Sequence, residues 1–539
     1  MPQGSRTTAA DITGRRGGVL SSRAAGFLAL AAPTALAAGL SFYDLGTRSI
    51  WVDESASIAI SSQHGGALSA ALAHDGGNML AYYAVLHVLI RAFGNGIVVL
   101  RAPSAIAAAF TVALVSLLAK RLFTTAVAAA AGVLSAVSLP LVFWGQDARA
   151  YALMTALVAA SFLAFVHLVD RDPAQPPSKW AFACYVVATT LAMYMGFIAI
   201  LVVPAQLLSL VCHRRRWRPV ALALAISALL CIPLAVLAAG RGAAQLFWVP
   251  KPDLSGLAQV VEELTSSGLQ PQFPLTATSF VLMVLSLAML VVALGASVRA
   301  LRRNDEKGRG FALVLLVGWL VVPFLLALVE SELGQSVFVA RNLLISLPPA
   351  GILLALVALG MPSAQHSSDA KNKPWRAGPV LVAVLVALRA LQLAPSYGTS
   401  PENWHSAVSY VLARSEPGDC IAFYPSDGRM AFEYYIGQDS RAVSSAPRPV
   451  LPTEAFGKVT PYVEDYASLS PTAVSQLAAG CSRIFLVVSH EGSANGPPES
   501  VTHFNRYLKL RAALEARYAA HSTASFGYAD PVDVELLAR

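Results

Sequence analysis

Met79 to Phe93 reads MLAYYAVLHVLIRAF, and whether this segment crosses a membrane decides how the rest of the chain is threaded. It is apolar enough to cross, but it is short of the ~20 residues that a span needs, and it carries His87 and Arg91. The basic clusters decide the matter. Arg15-Arg16, Lys120-Arg121, Arg214-Arg215-Arg216, Arg299 to Arg309 and Lys371 to Arg376 all sit in short tails or connections beside apolar segments. If 79–93 crosses, the second and third clusters fall on the side opposite the N-terminal arginines. If it lies along the surface, all five fall on one side, which the positive-inside rule makes cytoplasmic. The cytoplasmic loops then hold 20 Lys and Arg against 6 Asp and Glu, while the opposite loops carry more acids than bases.

Everything around that segment is membrane-like. Of 539 residues, 56% are apolar and only 13% charged, against about 25% charged in a soluble domain. Mean hydropathy is +0.58. Apolar stretches at 24–43, 101–119, 126–143, 149–169, 180–195, 197–212, 219–238, 277–298, 311–329, 343–360 and 377–394 predict a polytopic α-helical membrane protein of about eleven transmembrane helices. The uncharged run 180–212 is too long for one helix, and Gly196 is where it divides. Residues 1–23 read as a cytoplasmic tail and 24–43 as an uncleaved signal-anchor, although Ala37-Ala38-Gly39 has the look of a cleavage site. The net charge of +8 is accounted for by topology, so a nucleic-acid partner is not needed to explain it.

The transmembrane domain is thus 24–394, with its largest outer loop at 44–100, and 395–539 is an extracytoplasmic soluble domain. There a helix at Trp404 to Arg414, a strand at Cys420 to Tyr424, a helix around Met430 to Tyr435, a strand at Arg483 to Ser489 and a helix at Phe504 to Tyr518 suggest a small α/β fold. Five cysteines show no metal-binding spacing. Cys184, Cys212 and Cys231 read as packing residues in or beside spans, while Cys420 and Cys481 share the exported domain, where oxidising conditions would let them pair.

Chemistry concentrates in the outer loops. Asp53 and Glu54, within Trp51-Val52-Asp53-Glu54-Ser55, follow the first span closely, and carboxylates near membrane depth are solvated, paired or functional. His74-Asp75 precedes Asn78 and the tandem Tyr82-Tyr83, which alone would be interfacial aromatics. The turn Trp144-Gly145-Gln146-Asp147-Ala148-Arg149-Ala150-Tyr151 presents an acid, a base, an amide and two aromatics; its bland reading is an ion pair with interface anchors. Arg341-Asn342 puts a cation at an outer edge, where it pairs either with Glu330 or Glu332 or with a lipid phosphate suited to a guanidinium fork. Arg241 and Lys251 in the loop 239–276 are further cations on the same side.

These elements, in this order, resemble the GT-C class of membrane glycosyltransferases, in the group similar to protein O-mannosyltransferases and lipid A aminoarabinose transferases. The residues that carry the resemblance are Asp53-Glu54, His74 with Tyr82-Tyr83, Arg101-Ala102-Pro103-Ser104, and Gln146-Asp147-Ala148-Arg149-Ala150-Tyr151. Where that group has two prolines after the histidine, this chain has Asp75-Gly76-Gly77-Asn78.

The resemblance implies a polyprenyl-phosphate sugar donor and an inverting displacement at the anomeric carbon in the plasma (inner) membrane, on its outer face. Asp53 is then the base, with Glu54 orienting the acceptor or sharing that role. Arg149 and Arg341, with Lys251 as a weaker candidate, would take the donor phosphate. His74, Asp75, Tyr82, Tyr83, Gln146, Asp147 and Tyr151 would line the pocket. No cofactor is expected; a divalent metal held by Asp53, Glu54, His74, Asp75 or Asp147 is the less favoured alternative. The partners implied are the lipid-linked donor, membrane lipid, and a glycan, lipoglycan or protein acceptor. The alanine-rich composition suits a GC-rich genome, such as an actinobacterial one, and hence mannose or arabinofuranose on a cell-envelope acceptor. Two other classes remain open: a lipid-linked sugar transporter or flippase, which would want ionisable groups at mid-span, and a non-catalytic envelope-assembly protein.

Overall fold

The computed structural model describes residues 10–169, 176–212, 216–241, 249–303, 307–360, 377–456, 470–496 and 498–539. Among them, seven helices are long and apolar enough to cross a membrane: Arg23–Phe42, Ile97–Leu122, Tyr151–Val169, Ala277–Arg299, Gly310–Leu333, Ala340–Ala358 and Gly378–Gly398. Two bent pairs bring the number to nine if each pair is one span. Thr125–Ala136 meets Leu139–Gly145 at 59°, and Trp217–Leu230 meets Ile232–Arg241 at 51°. Pro140 and Pro233 stand second in the later half of each pair, where a residue without an N–H cannot continue the preceding helix. The protein is therefore a multi-pass membrane protein, and the expected eleven spans correspond to seven to nine of full length.

The shortfall lies where sequence length alone misleads. The run 180–212 does break at Gly196, into the helix Lys179–Met195, a 3-10 turn Phe197–Val202 and a short helix Val203–Ser209. A Cβ on Gly196 would stand 2.8 Å from Met154 Sδ, so the break is also a close approach to the neighbouring helix. Met79–Phe93 forms a 14-residue helix, Leu80–Phe93, too short to cross. It buries Tyr82, Tyr83 and Leu86 and leaves Val88 and Phe93 exposed. Arg389, buried in the last span, donates to Leu134 O at 2.6 Å and Thr265 O at 3.0 Å; both carbonyls belong to final helical turns, which lack intrahelical partners. Cys184 is exposed and Cys212 and Cys231 are half-buried, so they are less closely packed than expected. The basic residues Arg214, Arg215 and Lys371 to Arg376 lie outside the described residues.

The C-terminal domain is built on a five-stranded sheet: β1 (Cys420–Tyr424), β2 (Arg448–Leu451), β3 (Arg483–Val488), β4 (Ala519–Phe526) and β5 (Val532–Ala538), in the order β2-β1-β3-β5-β4. β1 runs parallel to β2 and β3, while β5 is antiparallel to β3 and β4. Strand alternation sends Ile484, Leu486 and Val488 to one face, against Tyr507, Leu510 and Leu514 of the helix Pro498–Glu515. Phe485 and Val487 pack on the other face with Trp404, Phe423 and Phe432. Cys420 and Cys481 are joined in a disulfide, Cα to Cα 5.7 Å.

Candidate active site

The first helix of the loop 44–100, Val52–Ser61, opens on the acidic pair, where the positive end of the helix dipole favours carboxylates. Consecutive helical residues point about 100° apart, so the two acids go separate ways. Glu54 turns inward and is 1% exposed. It accepts Arg101 Nε at 2.8 Å and Nη2 at 2.7 Å, and the Ala148 N–H at 2.7 Å. Arg101 also donates to the carbonyls of Leu45, Arg48 and Ser49. One buried fork thus ties together the loop 44–100, the helix Ile97–Leu122 and the turn after Gly145.

Asp53 turns the other way, into a cavity of about 830 Å3. Its Oδ2 lies 3.6 Å from Arg149 Nη2 and 3.8 Å from Arg341 Nη2. Arg149 also donates to the Asp53 carbonyl and to Ser57 Oγ, each at 3.3 Å. Arg341 stands over the Trp51 ring, 5.4 Å from its centre. Burial would lift the Asp53 carboxyl, but the two guanidinium groups outweigh that and hold it below the usual carboxylate range. Asp53 is therefore ionised at neutral pH.

His74, Asp75 and Tyr83 line the same cavity, as do Asp147, Arg149, Tyr151, Lys251 and Arg341. Gly76 and Gly77 take φ of +65° and +76°, so this chain's departure from a double proline builds a left-handed turn that prolines cannot make. Burial pushes Asp75 up to about 7. Asp147 is raised well above its ordinary value, by burial and then by Glu54's charge, and its Oδ1 accepts Trp51 Nε1 at 2.8 Å. Glu263, reached by Trp144 Nε1 at 3.1 Å, is lifted by burial to about 8. Lys251 donates to the Glu332 carbonyl at 3.3 Å.

Three residues expected in the pocket do not line it. Glu54 is sequestered by Arg101. Tyr82 is fully buried beneath the cavity wall. Gln146 spends its amide on the carbonyls of Ser41 and Tyr43, at 3.2 and 2.6 Å, closing the end of the first span. The acids and His74 named as possible metal ligands do not gather either. Among the described residues the ligand atoms that converge are those of Glu402, His490 and Asp530.

Those three, with Asp427, come from the C-terminal domain and complete the cavity wall. Asp427 and His490 follow the carboxyl ends of the parallel strands β1 and β3, the edge where open α/β sheets place their sites. Both strands are legible in the sequence, so the residues just past them were the available signal. The same domain holds the strand of chain leading to Asp53. The Ser49 N–H donates to Ser400 Oγ at 3.0 Å, the Ile50 N–H to Tyr435 Oη at 2.9 Å and the Val52 N–H to Glu402 Oε2 at 3.0 Å.

Residues 78–238 match the model of a family described as dolichyl-phosphate-mannose-protein mannosyltransferase. No curated relative matches by sequence. Among solved structures, the chain is similar to ArnT from Cupriavidus metallidurans, both apo and bound to undecaprenyl phosphate. The TM-scores are 0.53 and 0.51 and the identities 13% and 12%, over 94% of this chain and 97% of that one. It is also similar to the archaeal oligosaccharyltransferase AglB from Archaeoglobus fulgidus, in complex with an inhibitory peptide and a dolichol-phosphate. There the TM-score is 0.52 and the identity 14%, over 92% of this chain and 72% of that one. Family match and shared fold together place this chain's resemblance in the GT-C glycosyltransferases, in the mannosyl- and aminoarabinosyl-transferase group.

Proposed function

We propose that the protein transfers a single sugar from a polyprenyl phosphate to a hydroxyl of a cell-envelope acceptor, on the outer face of the plasma membrane, with inversion. The observation that carries this reading is the ionised Asp53, set between Arg149 and Arg341 on the wall of a large cavity. Asp53 takes the proton of the acceptor hydroxyl as its oxygen bonds to the anomeric carbon. The bond from that carbon to the phosphate oxygen breaks in line, and polyprenyl phosphate leaves with the electron pair. Phosphate leaves without a strong acid, so one base and two cations suffice, unlike the carboxyl pair of a glycosidase.

Donor binding also prepares the base. The guanidinium groups that depress Asp53 are the groups a phosphate would engage, and each contact diverted to the lipid relieves that depression. The lipid phosphates bound by ArnT and AglB support this choice of donor. The disulfide supports placing the C-terminal domain outside the cytoplasm. Mannose and arabinofuranose are the sugars we favour.

The test is reconstitution in liposomes with polyprenyl-phosphate mannose or arabinofuranose and an envelope glycan extract. Formation of a glycosidic product with release of polyprenyl phosphate is expected. Movement of the lipid between leaflets without product would instead identify a flippase.

A further inference from the structure

We infer that the C-terminal domain carries a divalent transition-metal site, of the Zn2+ or Mn2+ class, formed by Glu402, His490 and Asp530 on the wall of the cavity that Asp53 lines. One nitrogen and two carboxylate oxygens from these side chains lie within 4.8 Å of one another. Glu402 Oε1 is 3.2 Å from His490 Nε2. Two ligands on one tetrahedral ion, with bonds of ~2.1 Å, stand roughly 3.4 Å apart, so this pair is already at ligand spacing. Asp530 lies on the loop between β4 and β5 and completes the set with a carboxylate oxygen within 4.8 Å of the other two ligand atoms.

Two independent features make this more than a meeting of charges. The first is orientation of the buried ligand. Glu402, 2% exposed, has its second oxygen fixed by the Val52 N–H at 3.0 Å and Trp404 Nε1 at 2.9 Å, which leaves Oε1 facing the imidazole. Outer contacts that lock a ligating carboxylate are a regular part of protein metal sites. The second is Asp427 on the same wall, whose Oδ1 is buried with no hydrogen-bond partner. A cation between it and the trio would satisfy that oxygen.

The donor set decides the class of ion. An imidazole with carboxylates suits Zn2+ or Mn2+, whereas Mg2+ prefers oxygens and its own waters. The trio supplies three of the four positions of a tetrahedral ion, and the fourth falls to Asp427 Oδ1. The site also reaches the transfer centre through the chain, since Glu402 holds the N–H of the residue before Asp53. Metal binding would therefore tighten the start of the helix that presents the base.

The experiment is calorimetric titration of the purified, chelator-treated full-length protein in detergent with Zn2+ and with Mn2+. Co2+ serves as a visible-spectrum reporter of coordination. We expect one equivalent bound and a rise in thermal midpoint on binding. His490→Ala and Asp530→Asn should each weaken binding at least tenfold while keeping the metal-free midpoint, because neither side chain is part of the buried core. Absence of binding, or binding that survives in both variants, would overturn the site. The readout is metal binding and not transfer, so its failure would leave the transferase reading standing, and failure of that reading would leave the site standing.

Discussion

Glu54→Gln removes one charge and almost no volume, and the surroundings of Glu54 set the size of the effect. Its carboxylate takes two hydrogen bonds from Arg101 and one from the Ala148 N–H, at a site where both side chains are 1% exposed. An amide there leaves the guanidinium charge buried without a counter-ion and points one of its own N–H groups at another donor. Breaking a buried pair by removing one partner costs about 3–5 kcal/mol. That is a large part of a typical stability of about 5–15 kcal/mol. Arg101→Met should cost a similar amount, because three carbonyls lose a donor worth about 1 kcal/mol each and Glu54 loses its counter-ion. The double variant should lose less than the sum, with a coupling of at least about 2 kcal/mol. Thermal or denaturant unfolding in detergent measures all three, and hydrogen exchange over 44–61 should show the loop opening. A Glu54→Gln protein within about 1 kcal/mol of the parent, with no coupling to Arg101, would refute the assignment of Glu54 to the scaffold.

Three further outcomes are expected. Arg341→Gln should lower transfer about 100-fold or more, the usual cost of one preorganised donor to developing negative charge, with little change in the unfolding midpoint; an unchanged rate in a donor-saturated assay would exclude it from the phosphate site. Burial raises the Asp75 carboxyl to about 7, so between the ordinary carboxylate range and pH 7 the folded state holds a proton that the unfolded chain has lost, and stability falls with pH across that window and levels off above it. Asp75→Asn should accordingly match the parent in thermal midpoint below about pH 4, pull ahead of it between pH 4 and 7, and keep a constant advantage at pH 8. Cys420→Ser with Cys481→Ser opens a loop of sequence separation 61 and should cost about 4 kcal/mol, read by unfolding of the C-terminal domain.

The multi-pass character was legible because long apolar runs mark candidate spans one by one, without any knowledge of packing. The resemblance was legible for a similar reason, since Asp53-Glu54, Arg101 and Arg149 stand beside recognisable turns and span ends. Which of Asp53 and Glu54 faces the cavity was not legible. That choice depends on a ten-residue helix, Val52–Ser61, whose short apolar pattern did not stand out, and on Arg101, 47 residues further along the chain. Tyr82 and Tyr83 divided in the same way, one beneath the wall and one on it. Helix breaks at 138 and 231 were hidden because hydropathy averages over the very bends that prolines introduce. Asp427 and His490 could be marked only as residues just past two legible strands, whereas the contributions of Glu402 and Asp530 arise from docking one domain on another, which no local pattern records. Strands β2, β4 and β5 also escaped notice: β4 is a largely exposed edge strand, without the buried run that marks β1 and β3.

The central claim is that Asp53 is the base, and Asp53→Asn tests it most directly. The amide keeps the shape and removes the ability to take a proton. Its stability cost should be small, because Asp53 meets its arginines only at 3.6 and 3.8 Å and at a partly exposed site. The measurement is single-turnover formation of glycoside from polyprenyl-phosphate sugar, alongside donor binding and the unfolding midpoint. We expect a loss of about 100-fold to 10,000-fold in product formation, with donor binding and folding retained. Product formed at the parental rate by a folded Asp53→Asn protein would contradict the assignment.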